Sequence, residues 1–575
     1  MTDLHLTAAR ATEAEAEAVD AVVGDSLGPA VVHESGRLVR GGGRRRHERR
    51  HLLLPALHAL QHEAGWISPG GINHIAEQLQ VPPAEAYGVA TFYELFRHEP
   101  PTHDGDTVHV CIDPACAMAG ADELARTLEA GGEHVHRGPC LGQCERAPAR
   151  FIQGHRTPDR VPADDDPAAP TQAGDPSVRL LKRIGVVDPD SIDSYLDAGG
   201  FSALATARAV GADAVLDAIV ASGLSGRGGA AFPTGVKWRA VRDAVGEVKH
   251  VVANCDESEP GTFKDRVVME DDPFALIEAM CIAAFVTGAS SGWIYVRGEY
   301  PLATARLRSA IVQARDRGHL GEHFDIEVRR GAGAYICGEE TALFNSIEGF
   351  RGEPRNKPPF PTTNGLFDQP TAINNPETLL NVLPIVIDGA EAYRSVGTEG
   401  SPGTRLFCVS GRVARPGLYE MAFGVTLGEL LDTAGGVVGE LQAVLLGGAA
   451  GMFVTGDSLD LPLTLEDTRE AGVTLGSGVV MVFDTEVDMA ATCRRIAEFF
   501  RNESCGQCVP CRVGAVRQHE ILVELGSGPI DGSQRRLHDD LGRAMADASI
   551  CGLGHTAASA IASALELGLI GGDEA

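Results

Sequence analysis

The chain has 575 residues and a formal net charge of −30 at pH 7. This length predicts about three to five domains, and the acidic balance argues against a nucleic acid as the main partner. A run of about 18 apolar residues is absent from the sequence, as is the basic-then-apolar pattern of a secretory signal, so we expect a cytoplasmic protein without a membrane span.

The N-terminal part predicts an extension over residues 1–50 and a small helical bundle over residues 51–100. The Ala/Glu-rich residues 11–18 favour a helix. The basic run at residues 40–50 favours a solvated tail, with docking on an acidic partner surface as the alternative. Apolar residues recur at helical spacing between residues 53 and 79, which indicates the bundle.

A change to short strands and helices predicts a separate domain over residues 101–155. Strands are expected at residues 107–111 and 133–136, with a helix between them that ends near Gly131. The domain carries Cys-x4-Cys followed by Cys-x3-Cys: Cys111, Cys116, Cys140 and Cys144. Four thiolates suit a 2Fe–2S cluster, and a zinc site is the alternative, which normally uses Cys-x2-Cys pairs.

A Pro- and Asp-rich stretch at residues 156–178 predicts a linker to the next domain, which we place at residues 179–400. Apolar strands alternate there with helices, which indicates an α/β domain. Its glycine-rich loop, residues 223–238, allows backbone N–H groups to converge on an anion. The loop matches neither the Walker pattern nor the dinucleotide fingerprint, and a flexible turn is the alternative reading.

The last third predicts a small strand-rich domain over residues 401–487 and a helical domain over residues 488–575. The helical domain carries Cys-x2-Cys-x2-Cys, typical of a 4Fe–4S cluster with a remote fourth ligand. The predicted ligands are Cys505, Cys508, Cys511 and Cys551, with His555 as an alternative to the last. The remaining cysteines, among them Cys255, are expected to be small buried hydrophobes.

Five segments in order carry a resemblance to a known family: residues 223–238, 254–265, 331–342, 354–361 and 373–378. Together they resemble the flavin-binding NADH dehydrogenase subunit of respiratory complex I, a subunit type shared with NAD-linked hydrogenases and formate dehydrogenases. The first cysteine group resembles the thioredoxin-like 2Fe–2S subunit of complex I. The resemblance implies an α/β multidomain fold: a helical bundle and thioredoxin-like domain, then a Rossmann-like FMN domain, a β-grasp domain and a C-terminal helical bundle.

The resemblance also implies site residues. Those expected around FMN are Gly226, Arg227, Gly228, Gly229, Lys237, Asn254, Asp256, Glu257, Gly338, Glu339, Glu340, Asn374, Asn375 and Thr378. Those expected around NADH are Phe232, Glu259, Lys357 and Phe360, with Tyr335 close by. Glu257 and Glu340 are the expected catalytic residues. If Cys255 lies beside the flavin, its thiol is an oxidation-sensitive group at the centre.

The implied activity is electron transfer between NAD(H), FMN, a 2Fe–2S cluster and a 4Fe–4S cluster. NADH gives up two electrons together and clusters accept one at a time, and a flavin does both. The segment from Cys116 to Leu124 resembles the beta subunit of NAD-dependent formate dehydrogenases, whose large partner subunit holds a Mo- or W-pterin and further clusters. The alternatives are the same module in an NAD-reducing nickel–iron hydrogenase or a complex I variant, and a non-catalytic cluster-binding scaffold or sensor.

Overall fold

The computed structural model describes residues 6–24, 49–102, 105–162, 172–526 and 528–572. The strands of these residues are β1 Thr107–Cys111, β2 Val135–Gly138, β3 Arg150–Gln153, β4 His250–Cys255, β5 Ser291–Val296, β6 Asp325–Arg330, β7 Thr371–Asn374, β8 Thr404–Gly411, β9 Gly417–Ala422, β10 Leu441–Leu446, β11 Met452–Val454 and β12 Val479–Asp484.

The α-helices in the first half of the chain are Glu13–Val23, Leu53–Ala64, Pro69–Leu79, Pro83–Ala90, Pro114–Met118, Ala121–Ala130, Ile192–Asp197, Ser202–Val210, Ala212–Ser222, Thr234–Asp243, Lys264–Asp271 and Pro273–Thr287. Those in the second half are Pro301–Asp316, Glu340–Ile347, Pro361–Asn364, Pro376–Leu380, Val382–Asp388, Ala390–Arg394, Leu427–Thr433, Leu465–Glu470, Met489–Glu503, Val509–Leu525, Gly532–Ala548, Gly552–Thr556 and Ser559–Glu566.

The helix Glu13–Val23 begins at a capping box. The Thr12 hydroxyl accepts a hydrogen bond from the Glu15 amide, and the Glu15 carboxylate accepts one from the Thr12 amide at 2.7 Å. The helix packs against Leu53–Ala64, so this part of the expected extension lies in the bundle. Most of the basic run, residues 40–48, lies outside the described residues.

Arg50, the last residue of the basic run, has a fixed place in the fold. Its side chain is buried, and its Nε donates to the Gly349 carbonyl at 3.0 Å. The guanidinium also lies over the Phe350 ring, 4.0 Å from the centroid. This residue therefore joins the bundle to the central domain and is not part of a solvated tail.

The first cysteine group belongs to a three-stranded sheet of order β2-β1-β3. Strand β1 runs parallel to β2 and antiparallel to β3. Because β1 and β2 are parallel, Cys111 at the end of β1 and Cys140 shortly after β2 come to the same edge. The second strand begins two residues later than the sequence pattern predicts, because Val135 pairs with Val108 and sets the register.

The central domain is built on a parallel four-stranded sheet of order β6-β5-β4-β7. The helix Pro273–Thr287 packs against it and is buried along nearly its whole length, as its apolar composition predicts. The carboxyl ends of parallel strands meet at one edge, which is the usual ligand edge of open α/β sheets. Asn254 lies at the end of β4 there, and Asn374 ends β7.

A mixed five-stranded sheet of order β11-β10-β12-β8-β9 follows. The helix Leu427–Thr433 buries Leu430 and Leu431 in a core that belongs to this sheet alone. The C-terminal helices pack beside it, where the amide of Phe453 in β11 donates to the Ser563 hydroxyl at 2.9 Å. Both units lie close enough to the central sheet to contribute to one cleft.

Candidate functional site

A cleft opens at the carboxyl edge of the parallel sheet. The predicted site residues that line it are Gly228, Asn254, Asp256, Glu257, Glu259, Tyr335, Gly338, Glu339 and Asn375. The predicted residues that lie outside this lining are Gly226, Arg227, Gly229, Lys237, Asn374, Thr378, Phe232, Glu340, Lys357 and Phe360. Four of the five motif segments thus contribute to one cleft, and the segment at residues 354–361 contributes no residue to its lining.

The sequence reading missed several walls of the cleft. Thr262, Lys264 and Asp265 line it, and the charged pair at the end of the second motif was a signal for them. Ser477 comes from the mixed-sheet domain, where the sequence indicated no chemistry, and Gly552 comes from the C-terminal helices. These last two are far away in the chain and carried no local signal.

The glycine-rich loop is closed by backbone contacts. The Gly226 amide donates to the Phe232 carbonyl at 2.9 Å. A β-carbon at Gly228 would come within 3.3 Å of the Asn375 β-carbon, so a side chain here would require Asn375 to move by a few tenths of an ångström. The Arg227 amide donates to the Thr378 hydroxyl at 2.8 Å. Thr378 therefore holds the loop in place, whereas the resemblance places it against FMN.

The Arg227 side chain points away from the cleft. It is fully buried, and it donates to the Ser225 hydroxyl at 3.0 Å, the Tyr393 hydroxyl at 3.0 Å and the Pro402 carbonyl at 3.1 Å. The guanidinium also lies 4.6 Å from the centroid of the Phe423 ring. The side chain joins the loop to the following domain, so only its backbone is available at the cleft.

Lys237 and Asn374 are likewise engaged in the fold. Lys237 Nζ donates to the Ile373 carbonyl at 2.7 Å, and burial lowers the pKa of Lys237. The Asn374 side-chain oxygen accepts a hydrogen bond from the Trp238 indole at 2.9 Å. Both side chains fix the helix Thr234–Asp243 against β7, immediately behind the glycine-rich loop.

Glu257 is a buried carboxylate with many donors. It accepts hydrogen bonds from the Thr262 hydroxyl at 2.9 Å and from the amides of Asp265 and Arg266, both at 2.8 Å. The Tyr300 hydroxyl donates to the same carboxylate at 3.2 Å. Burial nevertheless raises the pKa of Glu257 to about 7, so its charge changes near neutral pH.

Lys264 provides a buried cation in the cleft wall. Its Nζ donates to Asp265 at 2.7 Å and to the Asn375 side-chain oxygen at 3.1 Å, and it lies 3.2 Å from Glu377. Burial alone would lower the pKa of Lys264, but Asp265 and Glu377 raise it above its usual value. The amine therefore stays protonated beside the loop.

Glu259 is held by two donors at the other end of the cleft. The Tyr335 hydroxyl donates to it at 2.6 Å and the Ala450 amide at 2.7 Å. Burial raises the pKa of Glu259 to about 7. A carboxylate in this position is fixed in direction and titrates in the neutral range.

Of the residues expected against the nucleotide, Glu259 and Tyr335 line the cleft, whereas Phe232, Phe360 and Lys357 lie outside its lining. Phe232 and Phe360 are half exposed, which leaves their rings free to stack on a base. Lys357 Nζ contacts Glu339 at 2.8 Å and Glu340 at 2.6 Å. Glu339 also caps the helix Glu340–Ile347 by accepting from the Thr341 amide at 2.8 Å, so this acid has a structural partner as well as a place in the lining.

The donor set of the cleft fits FMN, which carries a phosphate, a hydroxylated chain and a polar ring edge. Lys264, which is paired with Asp265 and Glu377, lines the cleft together with the side chains of Asn254 and Asn375 and the backbone of Gly228. Asp256 Oδ2 is buried and has no hydrogen-bond partner in the described part of the chain, and burial raises the pKa of Asp256 well above its usual value. An unsatisfied buried carboxyl oxygen is costly unless a bound group supplies its partner.

The first cysteine group converges, as its spacing predicts. The sulfurs of Cys140 and Cys144 lie 3.6 Å apart, and those of Cys111 and Cys140 lie within 4.8 Å. The Gly142 amide donates to Cys140 Sγ at 3.4 Å, and the Ala149 amide donates to Cys116 Sγ at the same distance. Four buried thiols with amide donors to their sulfurs fit a 2Fe–2S cluster.

The cysteines of the second group lie at or near the N-termini of two helices. Cys508 is the N-cap residue of Val509–Leu525, and Cys551 is the N-cap residue of Gly552–Thr556. A β-carbon at Gly554 would come within 3.1 Å of the Cys511 β-carbon, so a glycine allows the two starts to approach. His555 Nε2 donates to the Ser549 carbonyl at 2.8 Å, which favours Cys551 as the fourth ligand of a 4Fe–4S cluster.

The Cys255 side chain lies in the core, although Asn254 and Asp256 on either side of it line the cleft. Its side chain is fully buried at the end of β4, and it is absent from the cleft lining. Burial raises the pKa of the Cys255 thiol well above its usual value. The structure therefore supports a packing role for Cys255 and not the role of an oxidation-sensitive thiol.

Four family descriptions match the chain. "Nuo51 FMN-binding domain" matches residues 219–384 and "Thioredoxin-like 2Fe-2S ferredoxin" matches residues 43–164. "NADH-ubiquinone oxidoreductase-F iron-sulfur binding region" matches residues 491–567, and "SLBB domain" matches residues 406–446. The FMN, 2Fe–2S and 4Fe–4S expectations are therefore confirmed at the level of the domain.

The chain is also similar to whole proteins. The F 2 subunit of NADH-quinone oxidoreductase of Rhizobium meliloti is 40% identical over 67% of this chain and 94% of that protein. NADP-reducing hydrogenase subunit HndC of Solidesulfovibrio fructosivorans is 39% identical over 67% and 80%. A crystal structure of an NAD+-reducing NiFe-hydrogenase aligns over 90% of this chain and 93% of that chain, with 32% identity and a TM-score of 0.78.

Among the helices of the described residues, none has the length and apolar character needed to cross a membrane. This finding agrees with the absence of a long apolar run in the sequence.

Proposed function

Because this chain belongs to the family of NADH-quinone oxidoreductase F subunits, we propose that it is the diaphorase subunit of an NAD-dependent formate dehydrogenase. It is an NADH dehydrogenase subunit with FMN and iron–sulfur domains. In the proposed direction, electrons from formate, oxidised on a Mo- or W-pterin partner subunit, reduce NAD+. The same chain works in reverse when NADH is the donor.

The observation that carries the proposal is the cleft itself, built by residues of the flavin motifs in a chain that also holds two groups of four cysteines. When bound, FMN supplies the conversion between two-electron and one-electron transfer. A chain with this combination needs no further cofactor to link NAD(H) to a one-electron carrier.

The residues of the cleft are proposed to act by positioning and by charge. The loop backbone at Gly228 is proposed to seat an anionic group, and Lys264, whose charge is balanced by Asp265 and Glu377, is proposed to hold Asn375 in the cleft wall. Asn254, whose side-chain amide donates to the Gly338 carbonyl at 2.7 Å, fixes the two walls relative to each other. Glu257 and Glu340 are proposed as the acids nearest the reacting atoms, and fixed geometry supplies the main part of the rate in such a site.

Phe232 and Phe360 are proposed to stack on the nucleotide base, with Lys357 and Glu259 on its polar groups. The exposure of both rings supports this proposal, since a half-exposed ring gains a stacking partner when a base binds. The two cysteine groups are proposed as ligands of the 2Fe–2S and 4Fe–4S clusters.

The formate partner is supported by the segment Cys116 to Leu124, which resembles the beta subunit of formate dehydrogenases. A second candidate, the same role in an NAD-reducing hydrogenase, is favoured by the alignment over 90% of this chain with the NAD+-reducing NiFe-hydrogenase structure. The two candidates share the cleft and the cysteine groups, so the chemistry of the partner subunit separates them.

Two experiments test the proposal. The purified chain supplied with FMN should reduce ferricyanide or a viologen dye with NADH, whereas a scaffold or sensor would bind nucleotide without turnover. Affinity purification from the native host should then recover a large subunit that contains molybdenum or tungsten. Recovery of a nickel-containing subunit would replace the formate assignment with the hydrogenase one.

A further inference from the structure

Arg297 joins the loop of the first cysteine group to the wall of the cleft. It directly follows β5, and its side chain is 2% exposed. Its Nη1 donates to the Glu257 carbonyl at 2.7 Å, and its Nη2 donates to the Cys140 carbonyl at 2.5 Å. A single guanidinium therefore contacts a residue of each site.

The charge of this guanidinium is paired with Glu299. Arg297 Nη2 lies 2.8 Å from a carboxylate oxygen of Glu299, which is also buried. The second oxygen of Glu299 is buried and has no hydrogen-bond partner within the described residues. The two side chains are thus buried against each other, and the electrostatic effect of a charge extends further in the protein interior than at its surface.

Arg266 makes a second contact with the same loop. Its Nε donates to the Gly142 carbonyl at 2.9 Å, and its guanidinium pairs with Glu145 and Glu270. Two carboxylates thus balance its charge, whereas Arg297, among the residues that the structure describes, forms an ion pair with Glu299 alone. Arg297 is therefore paired with fewer carboxylates than Arg266, so more of its positive charge acts on the cysteine loop.

We propose that Arg297 is a positioning residue that sets the reduction potential of the 2Fe–2S cluster held by Cys111, Cys116, Cys140 and Cys144. A guanidinium stays protonated throughout the working pH range. Reduction by one electron adds one negative charge to the cluster, and a fixed cation at the Cys140 carbonyl stabilises that reduced state. The inference rests on the proposed ligand set.

The same geometry assigns opposite effects to the two members of the pair. Removing the charge of Arg297 destabilises the reduced cluster and lowers its potential. Removing the charge of Glu299 leaves Arg297 uncompensated and raises the potential. A residue that only held the loop in place would not give shifts of opposite sign.

The chain offers a matched control pair on the neighbouring strand. Arg329, in β6, is 1% exposed and lies 2.7 Å from Glu327. Its guanidinium donates to the carbonyls of His51 and Ile347, neither of which belongs to the first cysteine group. Arg329→Gln and Glu327→Gln therefore remove the same charges from a nearby ion pair, in which the arginine is buried and the carboxylate is half exposed.

The experiment is a redox titration of the full chain with dithionite and mediators, followed by electron paramagnetic resonance of the 2Fe–2S signal. Iron content is measured on every sample. We expect Arg297→Gln to make the one-electron reduction roughly tenfold less favourable, a shift of about 59 mV to lower potential. Glu299→Gln should shift the potential in the opposite direction, and Arg297→Lys should restore most of the wild-type value because it keeps the charge.

The possible results distinguish a failure of the proposed role of Arg297 from a failure of the proposed cluster ligands. The inference would be overturned if Arg297→Gln kept its full iron content and the wild-type reduction potential. It would also be overturned if Arg329→Gln shifted the reduction potential as much as Arg297→Gln does. If Arg297→Gln does not fold, Glu299→Gln decides, and an unchanged potential there overturns the proposal. A wild-type protein with iron and no 2Fe–2S signal would instead overturn the ligand assignment, and the inference with it.

Discussion

The Tyr335 hydroxyl donates a hydrogen bond of 2.6 Å to the Glu259 carboxylate, which burial has already brought to a pKa of about 7. The Ala450 amide completes the contact at 2.7 Å. These donors fix the direction of the carboxylate in the cleft wall, where we propose that the adenosine ribose of NADH binds. A fixed carboxylate can discriminate between nucleotides by charge.

Glu259→Gln should raise kcat/KM for NADPH much more than it changes that for NADH. Two unit charges about 4 Å apart repel by about 4 kcal/mol at an effective dielectric constant of about 20. Solvent and salt reduce this to ~1–3 kcal/mol, or roughly ten- to a hundredfold in discrimination. Steady-state kinetics with both nucleotides measure the effect, with Glu391→Gln, an exposed acid outside the cleft, as the control. An unaltered ratio would contradict the placement of the nucleotide.

The preference for NADH over NADPH should depend on pH in the wild-type protein. Glu259 is charged above a pKa of about 7 and neutral below it, so repulsion of the 2′-phosphate weakens as the pH falls. We therefore expect the NADPH/NADH ratio of kcat/KM to rise as the pH is lowered from about 8 to about 6. Glu259→Gln should show a smaller change across this range, and an equal change in both proteins would mean that another group titrates.

Arg227→Gln should destabilise the protein without weakening FMN binding in the folded state. The buried guanidinium has three hydrogen-bond acceptors at 3.0–3.1 Å, all outside the cleft, and losing such contacts costs about 2–4 kcal/mol. The midpoint of chemical denaturation and the FMN affinity measured by flavin fluorescence test this. A tenfold loss of FMN affinity with an unchanged midpoint would show that the side chain reaches the flavin.

Cys508→Ala should remove the 4Fe–4S signal, because an iron atom loses its thiolate ligand. Turnover coupled to the partner subunit should stop, while NADH-dependent reduction of ferricyanide continues. Cys493→Ala is a matched control, since Cys493 is buried in the neighbouring helix Met489–Glu503 and is not a proposed ligand. Full coupled turnover without the cluster would contradict the assignment.

Cys255→Ala should leave the sensitivity to peroxide unchanged. The thiol is fully buried and burial raises its pKa, so little reactive thiolate forms. The replacement removes one buried heavy atom and should cost about 1 kcal/mol of stability. Timed inactivation by peroxide measures the first effect, and protection by the substitution would place the thiol within reach of oxidants.

Much of the fold was accessible from the sequence, because its signals are local. The spacing of Cys505, Cys508 and Cys511 lies within one loop and helix start, and the strand expected at residues 107–111 has those bounds. The second strand of the first sheet was displaced by two residues, because pairing with β1 and not its own composition sets its limits.

The site was less accessible, because side-chain direction depends on distant partners. Arg227 belongs to a flavin motif, yet Tyr393 and Pro402 draw its guanidinium out of the cleft. Ser477 and Gly552 form part of the cleft wall although their own segments carry no pattern for it. Contacts between residues so far apart in the chain cannot be predicted from hydrophobic periodicity or from motif spacing.

The contacts of Arg266 and Arg297 with the cysteine loop are noncovalent, and residues 163–171 supply the peptide connection between the two parts. A covalent tether turns association into an intramolecular event that dilution does not reverse. Two separate polypeptides with the same surfaces would form the same contacts, but only above their dissociation constant. The presence of both parts in one chain therefore fixes a one-to-one stoichiometry, whatever the protein concentration.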